Sequence, residues 1–242
     1  MESFNLKLKR MAKEKKSLLC VGLDISSEAL GFDNLDKLKK HTFTVIDATR
    51  EYAVAYKPNL AFFERYGSKG FKWLEKTIEY IGTEHIIIAD AKRGDIGNTA
   101  EQYAKSIFDH FGFDCVTLNP YMGSDSVKPF LEFKNKISIL LGLTSNIGAE
   151  DIQLKTSNGD FIFMEMIKSS KLWGNHNNMM YVVGATKTDF INKIRSEIPD
   201  HFLLIPGIGA QGGDLIEVCK HALNDNIGII VNSSRSIIYA ST

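Results

Sequence analysis

Residues 86–99 read Ile-Ile-Ile-Ala-Asp-Ala-Lys-Arg-Gly-Asp-Ile-Gly-Asn-Thr, an apolar, β-branched run that ends in charged residues. On an extended chain Asp90 and Lys92 are two residues apart, so their side chains point to the same side. Asp95 follows just beyond the predicted end of the strand. Because charges at the end of a buried strand cost desolvation energy, we interpret this stretch as part of a functional site and not as a solvated turn.

Short apolar runs of this kind recur along the chain and predict eight strands. They cover residues 18–23, 52–56, 85–89, 115–118, 137–143, 180–184, 202–205 and 227–231. Between them lie stretches with helical spacing and surface charge, at 35–51, 64–81, 98–112, 124–135, 160–172, 187–198 and 212–224. Strands that alternate with helices indicate parallel βα units, and eight such units close a barrel.

The sequence therefore predicts an α/β fold, a single (β/α)8 TIM barrel formed by residues 1–242. We expect an extra N-terminal helix at residues 3–15, over the bottom of the barrel. The polar stretch at 145–160 is predicted to be a long loop and is a candidate mobile element. No linker or low-complexity tract divides the chain.

Composition narrows the classes of function. Lysine plus arginine equals aspartate plus glutamate at 29 each, so no overall charge points to a nucleic acid or a membrane as partner. Cys20, Cys115 and Cys219 are scattered without metal-binding spacing, which favours reduced thiols. No apolar run reaches the ~18 residues of a membrane span, and the N-terminal residues lack the apolar core of a signal peptide. We expect a cytoplasmic protein.

The predicted strand ends are rich in charged and hydrogen-bonding side chains. In barrels of this class chemistry takes place where strands end and βα loops begin, so this rim is the predicted site. The rim residues are Asp24, Lys57, Asn59, Asp90, Lys92, Asp95, Asn119, Thr144, Ser145, Pro206–Gln211 and Asn232–Arg235. The six histidines lie mostly on predicted helices or at strand starts, the opposite end of the barrel, and are interpreted as structural or surface residues.

A glycine-rich loop follows the seventh predicted strand. Its Gly207-x-Gly209-x-x-Gly212 pattern formally matches a dinucleotide fingerprint, but it does not lie in a first βα turn. The next strand also ends in Asn232 instead of an acidic residue that could hold a ribose diol. We instead expect its backbone N–H groups to approach an anion together with Arg235, since the last two loops form the usual phosphate site of a barrel.

The pattern Asp-x-Lys-x-x-Asp-Ile-x-Asn-Thr at residues 90–99 resembles the signature of the orotidine 5′-phosphate decarboxylase family. Further pieces agree in order and spacing with the branch found in many bacteria and some protozoa. They are Val-Gly-Leu-Asp at 21–24, Tyr-Lys-Pro-Asn at 56–59, Thr-Ser-Asn at 144–146, Pro-Gly-Ile-Gly-Ala-Gln at 206–211 and Asn-Ser-Ser-Arg at 232–235. Gly97 and Ile147 stand where the family often has proline, and both are loop positions without side-chain chemistry.

The resemblance implies decarboxylation of orotidine 5′-monophosphate (OMP) to UMP by a homodimer that uses no metal and no cofactor. The carbanion left at C6 would need electrostatic stabilisation, because no organic electron sink is present. Lys57, Asp90, Lys92 and Asp95 would form an alternating charged array, with Lys92 as the proton donor to C6 and Asp90 beside the departing carboxylate. By the resemblance, Asp95 and Thr99 enter the site from the other subunit.

The same resemblance assigns the substrate contacts. Asp24 and Asn59, together with Thr99, would hold the ribose hydroxyls, and Ser145 would hydrogen-bond the pyrimidine edge. Other contacts come from the last two loops. Pro206 begins the glycine-rich loop, Gln211 would bridge base and phosphate and help to close that loop as a lid, and Arg235 with the backbone N–H of Ser234 would bind the phosphate.

Two other functions remain open from the sequence. Metal-dependent sugar-phosphate decarboxylases share Asp-x-Lys-x-x-Asp on the same fold. Resemblance to those enzymes would imply a Mg²⁺ site that includes an acidic residue at the end of the second strand. This chain has Lys57 there, and an ammonium cannot ligate Mg²⁺. A barrel that only senses a nucleotide would be expected to lack at least one of the four charges, and all four are present.

Overall fold

Eight parallel strands close into a barrel in the computed structural model, which describes residues 2–157, 159–208 and 212–240. In order around the barrel, the strands are β1 (Leu19–Leu23), β2 (Ala53–Pro58), β3 (Ile86–Arg93), β4 (Cys115–Leu118), β5 (Ile137–Leu143), β8 (Met179–Val183), β9 (Leu203–Pro206) and β10 (Ile229–Ser233). Strand β10 pairs with β1 and closes the barrel. The predicted α/β barrel is confirmed.

Helices connect the strands and cover the barrel. They are α1 (Phe4–Lys15), α2 (Ser27–Leu30), α3 (Leu35–Thr49), α4 (Leu60–Glu64), α5 (Gly67–Ile81), α6 (Gly97–Lys105), α7 (Lys128–Leu131), α8 (Ile162–Ser170), α9 (Thr188–Glu197), α10 (Leu215–Ala222) and α11 (Arg235–Ile238). Helix α6 continues into a π-helical turn at Ser106–His110. Within the described ranges no helix is long and apolar enough to cross a membrane.

The helix predicted at 124–135 is mostly absent. The segment contains a 3₁₀ turn at Ser124–Ser126 and the single-turn helix α7. Pro129 explains the difference, because proline lacks the amide hydrogen that a helix interior needs and is tolerated only in the first turn. A helix can therefore begin at Lys128 but cannot run through from residue 124.

The barrel interior is built by alternate residues of each strand. In β3, Ile86 and Ile88 pack inside the barrel, whereas Ile87 and Ala89 pack against the surrounding helices. Helix α1 joins the interior cluster through an apolar stripe made of Phe4, Leu8, Met11 and Ala12. The predicted N-terminal helix is thus confirmed, and its apolar face packs against the residues that fill the barrel.

The segment predicted as a polar loop at 145–160 contains regular structure. It holds a 3₁₀ turn at Ile147–Asp151 and the two-residue strands β6 (Thr156–Ser157) and β7 (Asp160–Phe161), which pair antiparallel outside the barrel. The Asp160 carboxylate accepts hydrogen bonds from Lys168 Nζ at 2.7 Å and Lys193 Nζ at 2.5 Å. These contacts attach the hairpin to α8 and α9, while the mobility of this segment stays a prediction.

The three cysteines form no disulfide. Cys20 and Cys115 are buried in β1 and β4, and Cys219 is half-buried on α10. Burial raises the pKa of Cys20 to about 12, so its thiol stays protonated at neutral pH although it lies close to charged residues. Cys20 is therefore a poor nucleophile.

Candidate active site

Three of the predicted charges form one connected array at the carboxyl end of the barrel. Asp90 Oδ2 accepts a hydrogen bond from Lys57 Nζ at 2.6 Å, and Asp90 Oδ1 accepts one from Lys92 Nζ at 2.5 Å. The Lys57 and Asp90 side chains are 6% and 11% exposed, whereas Lys92 is 52% exposed. Lys92 is therefore the member of the array that is most open to a ligand.

The array is charged at neutral pH. Burial alone would raise the pKa of Asp90, but the ammonium groups of Lys57 and Lys92 lower it to about 2. Burial alone would lower the pKa of Lys57, but the negative charges of Asp90 and Asp24 outweigh that effect and raise it. Each buried charge is stabilised by a neighbour of opposite sign.

Two adjoining cavities surround this array and share Lys57, Asp90 and Pro206 in their walls. The first, of about 180 Å³, is polar and also contacts Asp24, Asn232, Ser234 and Arg235. The second, of about 270 Å³, combines polar and apolar walls: Lys92, Thr117, Leu141, Thr144, Ser145, Asn146, Val182 and Leu204. The cleft therefore suits a ligand with a polar or anionic part at one end and a less polar part at the other.

Polar groups are available at the first cavity. Asp24 follows β1, and its buried Oδ1 accepts no hydrogen bond from the described residues. The hydroxyl of Tyr239 donates to the Asp24 carbonyl at 2.9 Å, which fixes the backbone at this position. Arg235 begins α11, and within the described part of the chain its guanidinium forms no salt bridge. A hydroxyl group and an anion could therefore be bound here.

Close packing brings β1 and the last loop together at this end. A Cβ atom at Gly22 would lie 1.9 Å from Ser234 Oγ, so only glycine permits this contact. Ser234 Oγ also accepts a hydrogen bond from Asn232 Nδ2 at 3.2 Å. The backbone around Ser234 is thereby held against the end of β1, beside Asp24.

The loop after β5 is held at the second cavity by a side-chain bridge. Gln153 Oε1 accepts from Thr144 N at 2.8 Å, and Gln153 Nε2 donates to Thr144 Oγ1 at 2.8 Å. A Cβ atom at Gly184 would come within 2.8 Å of Ser145, so this glycine allows Ser145 to approach β8. Both features place Ser145 on the wall of the second cavity.

Of the catalytic and substrate-binding residues predicted from the sequence, three that the structure describes do not line these cavities. Asn59 lies beside Asp90 through a backbone bridge, but its Oδ1 caps α4 by accepting from Ala61 N at 3.3 Å. Asp95 and Thr99 lie outside both cavity walls, and Thr99 is exposed. Gln211 lies outside the described residues, as does Gly209. Their predicted roles therefore stay predictions.

Some cavity residues were not singled out from the sequence. Thr117, Leu141, Val182 and Leu204 line the second cavity. Each follows by two positions a residue that packs inside the barrel, namely Cys115, Ile139, Met180 and Phe202. The period-two alternation of these strands was the signal that could have identified them. The structure also extends four strands beyond their predicted ends, so that Lys57, Asp90, Lys92, Pro206 and Asn232 lie within strands.

The fold and the site define the class of this protein: it is a (β/α)8 barrel with a charged cleft at the carboxyl ends of its strands. A model of the orotidine 5′-phosphate decarboxylase / HUMPS family matches residues 17–242, and the chain belongs to this family. An orotidine 5′-phosphate decarboxylase of Flavobacterium johnsoniae is 53% identical over 234 residues, which is 94% of this chain and 86% of that protein.

Solved structures agree with this assignment. The OMP decarboxylase of Leishmania donovani superposes with a TM-score of 0.90 at 35% identity, covering 99% of this chain and 92% of that one. The UMP synthase of the same organism gives a TM-score of 0.92 at 37% identity, and the match covers 100% of this chain but 53% of that protein. This chain is thus similar to about half of the UMP synthase.

Proposed function

We propose that this chain decarboxylates OMP to UMP and CO2, the last step of de novo UMP synthesis. The observation that carries the proposal is the array of Lys57, Asp90 and Lys92 at the junction of the two cavities. Relatives about half identical to the chain are named orotidine 5′-phosphate decarboxylase, which supports the same reaction. In a Mg²⁺-dependent relative, an acidic residue would be needed where this chain has Lys57.

The array can supply what this decarboxylation requires. Departure of CO2 from C6 leaves an electron pair in the plane of the pyrimidine, where the ring cannot delocalise it, so nearby charge must stabilise it. The Lys92 ammonium supplies that charge and then transfers a proton to C6. Asp90 orients Lys92 beside the departing carboxylate, and Lys57 keeps Asp90 ionised. This chemistry uses side chains of the chain alone.

The two cavities match the two ends of the substrate. The 5′-phosphate occupies the polar cavity, where Arg235 and the backbone N–H of Ser234 bind it and Asp24 holds the ribose hydroxyls. Asn59 lies outside this cavity, beside Asp90, and is proposed to add a contact to the ribose. The pyrimidine occupies the second cavity between Lys92, Ser145 and the apolar wall. For Gln211, which lies outside the described residues, we propose a contact with both the base and the phosphate.

The active enzyme is proposed to be a homodimer in which Asp95 and Thr99 complete the partner's site. Both residues lie outside the cavities of their own barrel: Asp95 precedes α6, and Thr99 lies in its first turn. Nearby apolar side chains are exposed, namely Ile96 at 46%, Tyr121 at 80% and Met122 at 51%. A second copy would cover this surface. We place the enzyme in the cytoplasm, where its three free thiols stay reduced.

A direct assay tests the function. We expect the purified protein to consume OMP, followed by ultraviolet absorbance, at the same rate before and after exhaustive dialysis against EDTA, because the cation at the reacting carbon is Lys92. Loss of turnover in EDTA with recovery in Mg²⁺ would favour the sugar-phosphate alternative. Tight binding of UMP without any turnover of OMP would instead indicate a nucleotide sensor.

Substitution Arg235→Ala tests the phosphate site. A charge-assisted hydrogen bond contributes roughly 1.5–3 kcal/mol, so kcat/KM for OMP should fall by at least about ten- to a hundredfold. The control substrate is orotidine, which lacks the phosphate and on which wild type and variant should act about equally. Equal impairment on orotidine would show that Arg235 does not bind the phosphate.

Mixing two inactive variants tests the shared site. Lys92→Ala and Asp95→Ala homodimers should each be impaired at both sites. After subunit exchange, a heterodimer carries both substitutions in one site and leaves its other site intact. Random exchange makes about half of the dimers heterodimeric, so about a quarter of wild-type activity should return. If Asp95 served its own barrel, mixing would restore nothing even after exchange has been demonstrated by mass spectrometry.

A further inference from the structure

Strands β3 and β4 lose their regular pairing beside the active site. Ala89 pairs with Val116 and Arg93 pairs with Leu118, so three residues of β3 (Asp90, Ala91 and Lys92) face Thr117 alone on β4. Such a bulge leaves backbone N–H groups without partners in the ladder and re-aims the side chains that it carries. Two of these three residues belong to the charged array, so the bulge is part of the site.

The side chain of Thr117 replaces the missing ladder partners. Its Oγ1 accepts hydrogen bonds from the backbone N–H groups of Ala91 and Lys92, both at 3.0 Å. Its single proton can be donated to Asp90 Oδ1 at 3.3 Å or to the Ala89 carbonyl at 3.4 Å. A hydroxyl has two acceptor lone pairs and one proton, so the groups of the bulge satisfy its whole hydrogen-bonding capacity. The Thr117 side chain is buried, at 2% exposed.

The bulge holds Lys92 in a conformation that a lysine rarely adopts. Its φ is +47°, in the left-handed region, which persists in a non-glycine residue only when surrounding contacts enforce it. The Lys92 N–H is one of the two groups bound by Thr117. In a regular β-strand, the pleat alone would set the direction of the Lys92 side chain. Here the hydroxyl fixes the backbone from which its ammonium reaches Asp90.

We propose that Thr117 is a positioning residue for decarboxylation: by binding the N–H groups of Ala91 and Lys92, it holds the Lys92 ammonium beside Asp90 and the reacting carbon. This inference rests on the proposed function. Proton transfer depends on the reacting atoms being within a few tenths of an ångström of the productive geometry, so loosening the bulge lowers the rate of chemistry more than the binding of ligand.

Substitution Thr117→Val tests the proposal, because valine keeps the branched shape and removes the hydroxyl. We expect kcat for OMP to fall by about ten- to a hundredfold, while the Kd of UMP, measured by calorimetry, changes little. Thr117→Ser retains the oxygen and should restore most of kcat. The matched control is Thr77→Val, since Thr77 is also fully buried but its hydroxyl donates only to the Trp73 carbonyl in α5, at 2.9 Å.

Amide hydrogen exchange gives a readout that needs no turnover. Exchange at Ala91 and Lys92 should become faster in Thr117→Val and stay slow in Thr117→Ser and Thr77→Val. An inactive wild type would contradict the proposed function, whereas this exchange pattern would still report on the bulge. The positioning role is overturned if Thr117→Val keeps the wild-type kcat. It is also overturned if Thr117→Ser fails to restore kcat, or if UMP binding weakens in the same proportion as kcat falls.

Discussion

Replacing Lys92 with alanine is expected to lower kcat by at least the ~10²–10⁴-fold typical of a lost general acid. The decrease should be larger still, because the ammonium that lies 2.5 Å from Asp90 Oδ1 also supplies charge for the carbanion. Steady-state assays on OMP measure kcat, and calorimetry with UMP checks that the cleft still binds nucleotide. Near-normal turnover would rule out Lys92 as the proton donor.

Two further variants separate proton donation from charge. Lys92→Arg keeps a positive charge, but its guanidinium stays protonated in proteins and cannot serve as the acid. We expect it to be nearly as slow as the alanine variant. Lys220→Ala is the matched control, since Lys220 is 59% exposed and forms an ion pair with Glu217 at 2.5 Å, on α10 and outside the cleft. That variant should keep full activity, whereas an equal loss would point to a general effect of removing lysines.

Asp90→Asn should abolish measurable turnover and destabilise the fold. The substitution leaves the buried Lys57 ammonium, 6% exposed, without its carboxylate partner. Removing one member of a buried ion pair typically costs about 3–5 kcal/mol. Chemical denaturation followed by circular dichroism measures the free energy of unfolding. Glu79→Gln is the control, because it breaks the exposed pair with Lys76 and should change stability little.

The difference in the free energy of unfolding between wild type and Asp90→Asn should also depend on pH. The pKa of Asp90 falls from its ordinary value of 3.8 to about 2 in the folded protein. Its ionisation therefore stabilises the fold fully above pH ~4, and this contribution disappears as the pH falls toward 2. The stability gap between wild type and Asp90→Asn should narrow over that interval. A gap that stays constant down to pH 2 would contradict the strong pairing of Asp90.

The barrel was predictable because its pattern repeats. Each strand contains a short apolar run, and the helices between the strands leave few other topologies for a chain of this length. Strand ends were less predictable: β3 continues through Asp90 to Arg93, beyond the point where charged residues interrupt the apolar run. Local breaks were missed as well, since Pro129 stops a helix and the hairpin of β6 and β7 is too short to give a periodic signal.

The charged residues of the cleft could be singled out from the sequence, whereas several uncharged residues of its wall were missed. Lys57, Asp90 and Lys92 stand out because charges are rare at the ends of apolar strands. Thr117 is a β-branched residue in a buried strand, and in the sequence it looks like ordinary core. Its importance arises from a bulge in the neighbouring strand, and such a change of register cannot be derived from either strand alone.

Three residues of β3 face one residue of β4, and this bulge also limits which insertions and deletions the protein can tolerate. Loops of a barrel tolerate inserted and deleted codons, because few contacts depend on their length. Asp90, Ala91 and Lys92 instead lie between two paired positions, Ala89 and Arg93. Losing a codon there would turn successive side chains to the opposite face and remove a charge from the cleft. Among natural relatives of this chain, insertions and deletions should therefore be absent between Ala89 and Arg93.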